Sequence, residues 1–279
     1  MEIIKLINNN IVSAFDDKNR EVIVMGRGLG FGAAVGQPVD VTKVQKIFRM
    51  DSDDETKRLQ DVLTDVPLER VQLANRIIND AEKIITNKMQ RGIYITLIDH
   101  INFAIDRYHQ NIEFSNPLLM DIKRFYPKEF MAGKNAVNFL NNELSIELSD
   151  DEAASIALHF INAELGVEMP ETINAAKMIQ SIVKIVKYHY NMELDEASLN
   201  YERFITHLKF FTQRIVTQKG IDSNEKELND IIKKQYPNAY HCADKIKKYI
   251  EKEYQTTISD DEMTYLTVHI KRITTSKEE

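Results

Sequence analysis

The chain has 279 residues, 43% of them hydrophobic and 28% charged, with a formal net charge of −7. That length favours two or three domains, each able to bury a core, and the composition is that of an ordinary soluble globular protein. The negative balance excludes a surface that binds nucleic acid throughout, the lone Cys242 excludes an internal disulfide framework, and no apolar run approaches the roughly 18 residues of a membrane span. The start, Met1-Glu2-Ile3-Ile4-Lys5, leads into a short apolar run with no small-residue cleavage site, so no signal peptide is expected. The expected compartment is the reducing cytoplasm, where Cys242 is a packing residue.

The first 55 residues have β character. Glu2–Ile7, Asn10–Phe15 and Glu21–Met25 are short and rich in β-branched residues, and a fourth strand is predicted at Lys46–Met50. Between the last two lies Gly26-Arg27-Gly28-Leu29-Gly30-Phe31-Gly32, the densest glycine stretch of the chain. Glycines at this density imply positive φ or a close backbone approach. A dinucleotide fingerprint fits Gly28, Gly30 and Ala33 loosely, but no helix opens after it, and no Gly-Lys-Ser/Thr exists for a P-loop. Arg27 to Phe31 has the basic and aromatic letters of an RNA-recognition-motif strand, yet 55 residues without helical periodicity cannot supply that fold's helices.

What remains is a small antiparallel sheet whose turns carry amides (Asn8, Asn9, Asn10), bases (Lys5, Arg27) and an aromatic (Phe31). Amides read base edges, a guanidinium contacts phosphate and an aromatic stacks on an unpaired base. Residues 1–50 hold seven Lys/Arg against five Asp/Glu, a local balance of +2. The plainer reading makes the Asn run a turn and Phe31 a core residue. A four-stranded sheet of this size is marginal alone, so a partner is expected, most simply a second copy related by a two-fold axis.

From Ser52 onward the period changes to 3.6. Ser52-Asp53-Asp54-Glu55 reads as a capping box, so the linker is expected to run straight into the first helix. Helices are predicted over 66–88, 92–110, 117–124, 128–144 and 150–165, then over 172–190, 196–218, 224–235, 237–253 and 260–273. Pro117, Pro127, Pro170 and Pro237 fall at their boundaries, and the division between the helical domains is expected near Pro170.

The two groups of helices repeat each other. Ser149-Asp150-Asp151-Glu152 and His159 recur 110 residues later as Ser259-Asp260-Asp261-Glu262 and His269, and Tyr126-Pro127 recurs as Tyr236-Pro237. Tyr94, His100, Phe103 and Arg107 recur at an offset of 107 as Tyr201, His207, Phe210 and Arg214. A duplicated domain follows. His109, His189 and His241 are unmatched and read as ordinary polar residues of half-buried helices. His100, His159, His207 and His269 persist at both places, where packing alone would accept Leu, Gln or Tyr.

Three chemistries need imidazole there. Metal ligation lacks the i, i+4 His pair or an added Cys, and acid–base catalysis lacks an accompanying polar pocket. Phosphoryl acceptance needs only a nucleophilic ring and a donor, and the added charge acts as a local switch. Asp99 is a candidate to orient His100. Arg107 and Arg214, seven residues beyond each histidine, are candidate phosphate partners, with a solvated surface charge as the plain alternative for both.

Taken together, Ile7-Asn8-Asn9-Asn10, Met25-Gly26-Arg27-Gly28 with Gly30-Phe31, Asp99-His100, Ala157-Leu158-His159 with Asn162-Ala163-Glu164, and Val268-His269 make the chain resemble, over essentially its whole length, the BglG/LicT/SacY-type transcriptional antiterminators. The resemblance implies a multidomain protein: a small antiparallel β RNA-binding domain (1–55), a homodimer in that family, followed by two all-α helical-bundle regulation domains (56–170 and 171–279). It implies RNA contacts at Lys5, Asn8, Asn10, Gly26, Arg27 and Phe31, and phosphorylatable histidines at His100, His159, His207 and His269. It further implies an antiterminator hairpin in nascent mRNA of a sugar-utilisation operon as ligand. The expected protein partners are the phosphocarrier HPr, which activates through the second regulation domain, and a sugar-specific permease, which inhibits through the first. No enzyme activity, cofactor, metal or membrane insertion is expected. Two other classes fit the sequence less well. A phospho-regulated DNA-binding factor lacks a helix-turn-helix before the repeats. A metal-dependent helical hydrolase using Asp99, His100 and His159 lacks a second carboxylate cluster. One departure is local: Thr206 precedes His207 where Asp99 precedes His100.

Overall fold

The structure, a computed structural model, describes residues 1–217 and 226–275 and divides into two compact units, Met1–Gly166 and Val167–Glu279. The first unit opens with a four-stranded antiparallel meander, β1 (Glu2–Asn8), β2 (Ile11–Phe15), β3 (Glu21–Met25) and β4 (Lys46–Phe48), in the order β1-β2-β3-β4. The β2–β3 turn is set by Asp16. Its carboxylate accepts the Lys18 and Arg20 backbone N–H groups at 2.9 and 3.0 Å and the Arg20 guanidinium at 2.8 Å. The Arg20 hydrogen bonds hold that carboxyl down at about 2.

Both faces of the sheet are covered. Ile3, Val12, Ala14, Val22 and Val24 pack with Leu29 and Val39 from the glycine-rich loop. The alternate residues Ile11, Ser13, Ile23, Met25 and Phe48 are buried on the other face. That face meets α1 (Asp53–Asp65), which packs on β1 and β3 and buries Leu59 and Leu63 completely. Two leucines buried in this way contribute about 2 kcal/mol each. The capping box forms: Glu55 N–H donates to Ser52 Oγ at 3.2 Å, and the Glu55 carboxylate accepts from Asp51 N–H at 3.1 Å.

The expectation that this box leads straight into the first bundle helix is corrected. It caps a helix of its own, because Val66 is extended and Pro67 cannot continue the ladder. The bundle helix, α2 (Leu68–Ala81), also stops seven residues before the predicted 88. Beyond it, Gln90 N–H donates to Ala163 O at 2.9 Å and Asn87 donates to Glu164 at 2.6 Å, so tertiary contacts take the groups a longer helix would need. Four further helices complete the unit: α3 (Ile93–His109), α4 (Leu119–Phe125), α5 (Pro127–Leu144) and α6 (Asp150–Leu165).

The second unit contains α7 (Met169–Tyr190), α8 (Leu199–Thr217), α9 (Lys226–Gln235), α10 (Pro237–Tyr254) and α11 (Asp260–Thr274). The first two residues of the predicted 224–235 helix lie outside the described residues. The duplication is now physical. The pairs α2–α3, α2–α5, α3–α6, α4–α5, α4–α6 and α5–α6 recur as α7–α8, α7–α10, α8–α11, α9–α10, α9–α11 and α10–α11. Even the entry to the long proline-led helix is copied: Tyr126 has φ −128°, ψ 57° and Tyr236 has φ −127°, ψ 59°. One packing detail differs. A Cβ at Gly133 would sit 2.2 Å from the Ala153 carbonyl oxygen, so α5 and α6 approach at a distance only glycine allows, whereas the matched position in α10 is Ala243.

Candidate functional site

Each bundle brings its two matched histidines together from separate helices. In the first, His100 on α3 and His159 on α6 have ring centroids 4.6 Å apart, and in the second, His207 on α8 and His269 on α11 lie 3.7 Å apart. Every helical turn returns a residue to the same face, so Arg107 and Arg214, two turns beyond their histidines, reach the same spot.

The group that completes each site is a glutamate that sequence reasoning assigned to helix capping. Glu152 lies in the first turn of α6 and is buried, but its carboxylate does not close a capping box. One oxygen meets His100 Nε2 at 2.6 Å and the other pairs with the Arg107 guanidinium. Arg107 is itself 9% exposed, with its guanidinium 4.1 Å from the Phe114 ring centroid, so it is not a solvated surface charge. In the second bundle Glu262 grips Arg214 with both oxygens, at 2.6 and 2.8 Å. Ser259 still caps α11 by accepting the Glu262 N–H at 3.3 Å, while the Glu262 side chain has gone elsewhere. Asp99, expected to orient His100, is exposed, and the orienting carboxylate is Glu152. Adjacent residues of a helix point about 100° apart, so Asp99 faces away from the ring beside it.

The electrostatics keep the inner rings neutral. Burial, and then the neighbouring His100, hold His159 well below the ordinary imidazole range, and its buried Nδ1 has no hydrogen-bond partner. Burial, followed by His207 and Arg272, lowers His269 to about 4. His207 is exposed and lowered by partial burial and then by Arg214 and Arg272. Arg272 was not anticipated from the sequence; the position 110 residues earlier is Asn162, so the second site carries one more cation. A small open crevice lies against this site, lined by Phe204, His207, Arg214, Glu262, Tyr265 and His269. Neutral imidazoles with free lone pairs beside a guanidinium suit acceptance of an anionic phosphoryl group.

In the sheet domain, the β1–β2 turn and the glycine loop after β3 lie at one end. Asn8 Oδ1 accepts Asn10 N–H at 2.9 Å, Asn10 Oδ1 accepts Gly28 N–H at 2.8 Å, and Gly26 N–H donates to Asn10 O at 2.9 Å. The asparagine run is therefore a turn, with two of its amide oxygens committed to shaping it. Gly26 must be glycine, since a Cβ there would lie 1.9 Å from the Lys43 carbonyl oxygen. Phe31 is no core residue: it is 75% exposed, and Arg27 in the same loop is exposed as well. Lys5 lies apart, on the sheet face that meets α1. Its ammonium donates to Gln60 at 3.1 Å, and the Asn8 amide donates to the Leu63 carbonyl at 2.9 Å. Gln60 was not singled out from the sequence, because nothing local marks it. Cys242 is buried, which pushes its thiol up to about 12 and leaves it inert.

Comparison with known proteins fits this architecture. A profile described as the CAT RNA binding domain matches residues 1–57, and one described as the PRD domain matches 75–163 and 180–273. The transcription antiterminator LicT of Bacillus subtilis is 43% identical over 273 residues, covering 98% of this chain and 99% of its own. The beta-glucoside operon antiterminator of Dickeya chrysanthemi is 41% identical over 279 residues, covering 100% and 99%. A crystal structure of GlcT CAT-PRDI aligns with a TM-score of 0.51 at 30% identity, over 58% of this chain and 97% of that one. The chain belongs to the family of transcriptional antiterminators that join a CAT RNA-binding domain to two PRD domains. Among the described residues no helix is long and apolar enough to cross a membrane.

Proposed function

We propose that this chain is a cytoplasmic, RNA-binding transcriptional antiterminator, not an enzyme, and that phosphoryl groups from the sugar phosphotransferase system switch it through histidines. In this reading residues 1–55 hold an antiterminator hairpin in nascent mRNA of a sugar-utilisation operon as a homodimer, with Lys5, Asn8, Asn10, Gly26, Arg27 and Phe31 as contacts. Residues 56–170 and 171–279 are the two regulation domains, with His100, His159, His207 and His269 as acceptors. The phosphocarrier HPr addresses the second domain and a sugar-specific permease the first.

The supporting observation is the twinned site: two imidazoles in ring contact, beside an arginine held by a buried glutamate, built twice at matched positions. In the transfer, an imidazole lone pair attacks phosphorus and a new N–P bond forms. The bond from phosphorus to the donor side chain breaks, and its electron pair stays with the donor. The product adds a charge of about −1.5 to −2 to a half-buried helix face, enough to move a two-state interface by a few kcal/mol. An antitermination reporter tests the scheme. His207→Ala or His269→Ala should lower expression even with inducer, and His100→Ala or His159→Ala should make it inducer-independent. First-domain variants that still need inducer would overturn the assignment of inhibition to that domain.

A further inference from the structure

The two sites use the same letters differently, and the difference reaches the atoms of the rings. In the first, Glu152 divides its carboxylate between Arg107 and Nε2 of His100. In the second, Glu262 gives both oxygens to Arg214. The Glu152 carboxylate sits against the Arg107 guanidinium and in the first turn of α6, where the helix N-terminus favours negative charge. A carboxylate only accepts, so the His100 nitrogen facing it must donate. A neutral His100 therefore carries its proton on Nε2 and its lone pair on Nδ1.

We infer that Glu152 is a positioning residue which selects the phosphoryl-accepting atom in the first domain: His100 receives phosphate on Nδ1, while its Nε2–H stays bonded to Glu152. This rests on the functional reading above. In the transfer, Nδ1 forms the bond to phosphorus, the donor keeps the electron pair of the bond that breaks, and the Nε2 proton does not move. Because the carboxylate also holds Arg107, the same residue fixes both the ring and the guanidinium paired with it. His159 cannot take this part, since the buried carboxylate reaches the His100 ring and His159 Nδ1 is buried without a partner. Glu262 imposes no such choice on His207.

The test is nitrogen NMR on the full-length protein with ¹⁵N-labelled histidine at neutral pH, with His100→Gln used to assign the His100 signals. Before phosphorylation, His100 should show a protonated Nε2 and a bare Nδ1. After transfer from phosphorylated HPr or from the permease, ³¹P–¹⁵N coupling should appear at His100 Nδ1. Glu152→Gln leaves Arg107 an oxygen partner but can donate as well as accept. It should mix the two tautomers, put phosphate on both nitrogens and slow labelling of His100 by about tenfold or more, as expected when an imidazole loses its orienting carboxylate. Glu262→Gln should leave every His100 signal in place. A bare Nε2 in the unmodified protein, phosphate on Nε2, or a Glu152→Gln variant with wild-type spectra would each overturn the inference. A wild-type protein with the stated tautomer but no phosphate on any of the four rings would overturn the functional reading instead, and the acceptor role with it.

Discussion

The first and second bundles repeat one plan, and their differences are concentrated where charge is buried. The first site is closed: Glu152 and Arg107 are 3% and 9% exposed and the carboxylate spans two partners. The second is open: Arg214 is 26% exposed, a pocket lies against it, and Arg272 adds a second cation. A duplicated domain can keep its pair packing unchanged while moving a few polar atoms, and here those atoms are the carboxylate oxygens of Glu152 and Glu262. The closed copy has more to lose from a single deletion, and the open copy keeps its guanidinium in reach of water.

The largest expected break in this comparison comes from removing the glutamates. Glu152→Ala leaves Arg107 buried without its carboxylate and should destabilise the first unit by about 3–5 kcal/mol, whereas Glu262→Ala, beside a guanidinium still in reach of water, should cost about 1–2 kcal/mol. Denaturant unfolding of both variants measures the gap, and equal losses would mean that the two sites are electrostatically alike. A smaller effect separates the helix crossings. Gly133→Ala forces α5 away from α6 and should cost about 1–3 kcal/mol, while Ala243→Gly at the matched position should cost only about 1 kcal/mol, through helix propensity. Comparable values would show that the two crossings are equally close.

The smallest effect is a pH dependence of the second unit. His269 is depressed from 6.5 to about 4, so below 6.5 the unfolded chain binds a proton that the folded one refuses. Stability from this group is present above pH 6.5 and is lost as pH falls toward 4. A thermal melt should therefore drop by a few degrees between pH 7 and pH 5, and the drop should shrink in His269→Gln. A variant with the unchanged slope would assign the titration to another group.

Much of this was legible in the sequence. The β head, the helical repeats and the four recurring histidines are carried by local periodicity and by the offsets of 110 and 107, which survive without any knowledge of contacts. The completing glutamates were not. Ser-x-x-Glu reads the same whether the carboxylate returns to its own helix start or leaves for an arginine on another helix, and only at Ser52 does it return. Asp99 reads as the orienting group because it is adjacent in sequence, but sequence neighbours on a helix do not face each other. The role of α1 was hidden for a related reason: its partners Lys5, Asn8 and Glu21 lie roughly 40 to 55 residues away, and no local pattern announces them.

That helix carries a practical lesson for dissecting the molecule. A head cut at residue 55 loses Leu59, Gln60 and Leu63, so it presents bare apolar strand surface and two donors, on Lys5 and Asn8, that the intact chain keeps occupied. Its transcript affinity and self-association would then be properties of a newly made surface, and a fragment ending at 65 is the fairer stand-in for what the whole protein offers.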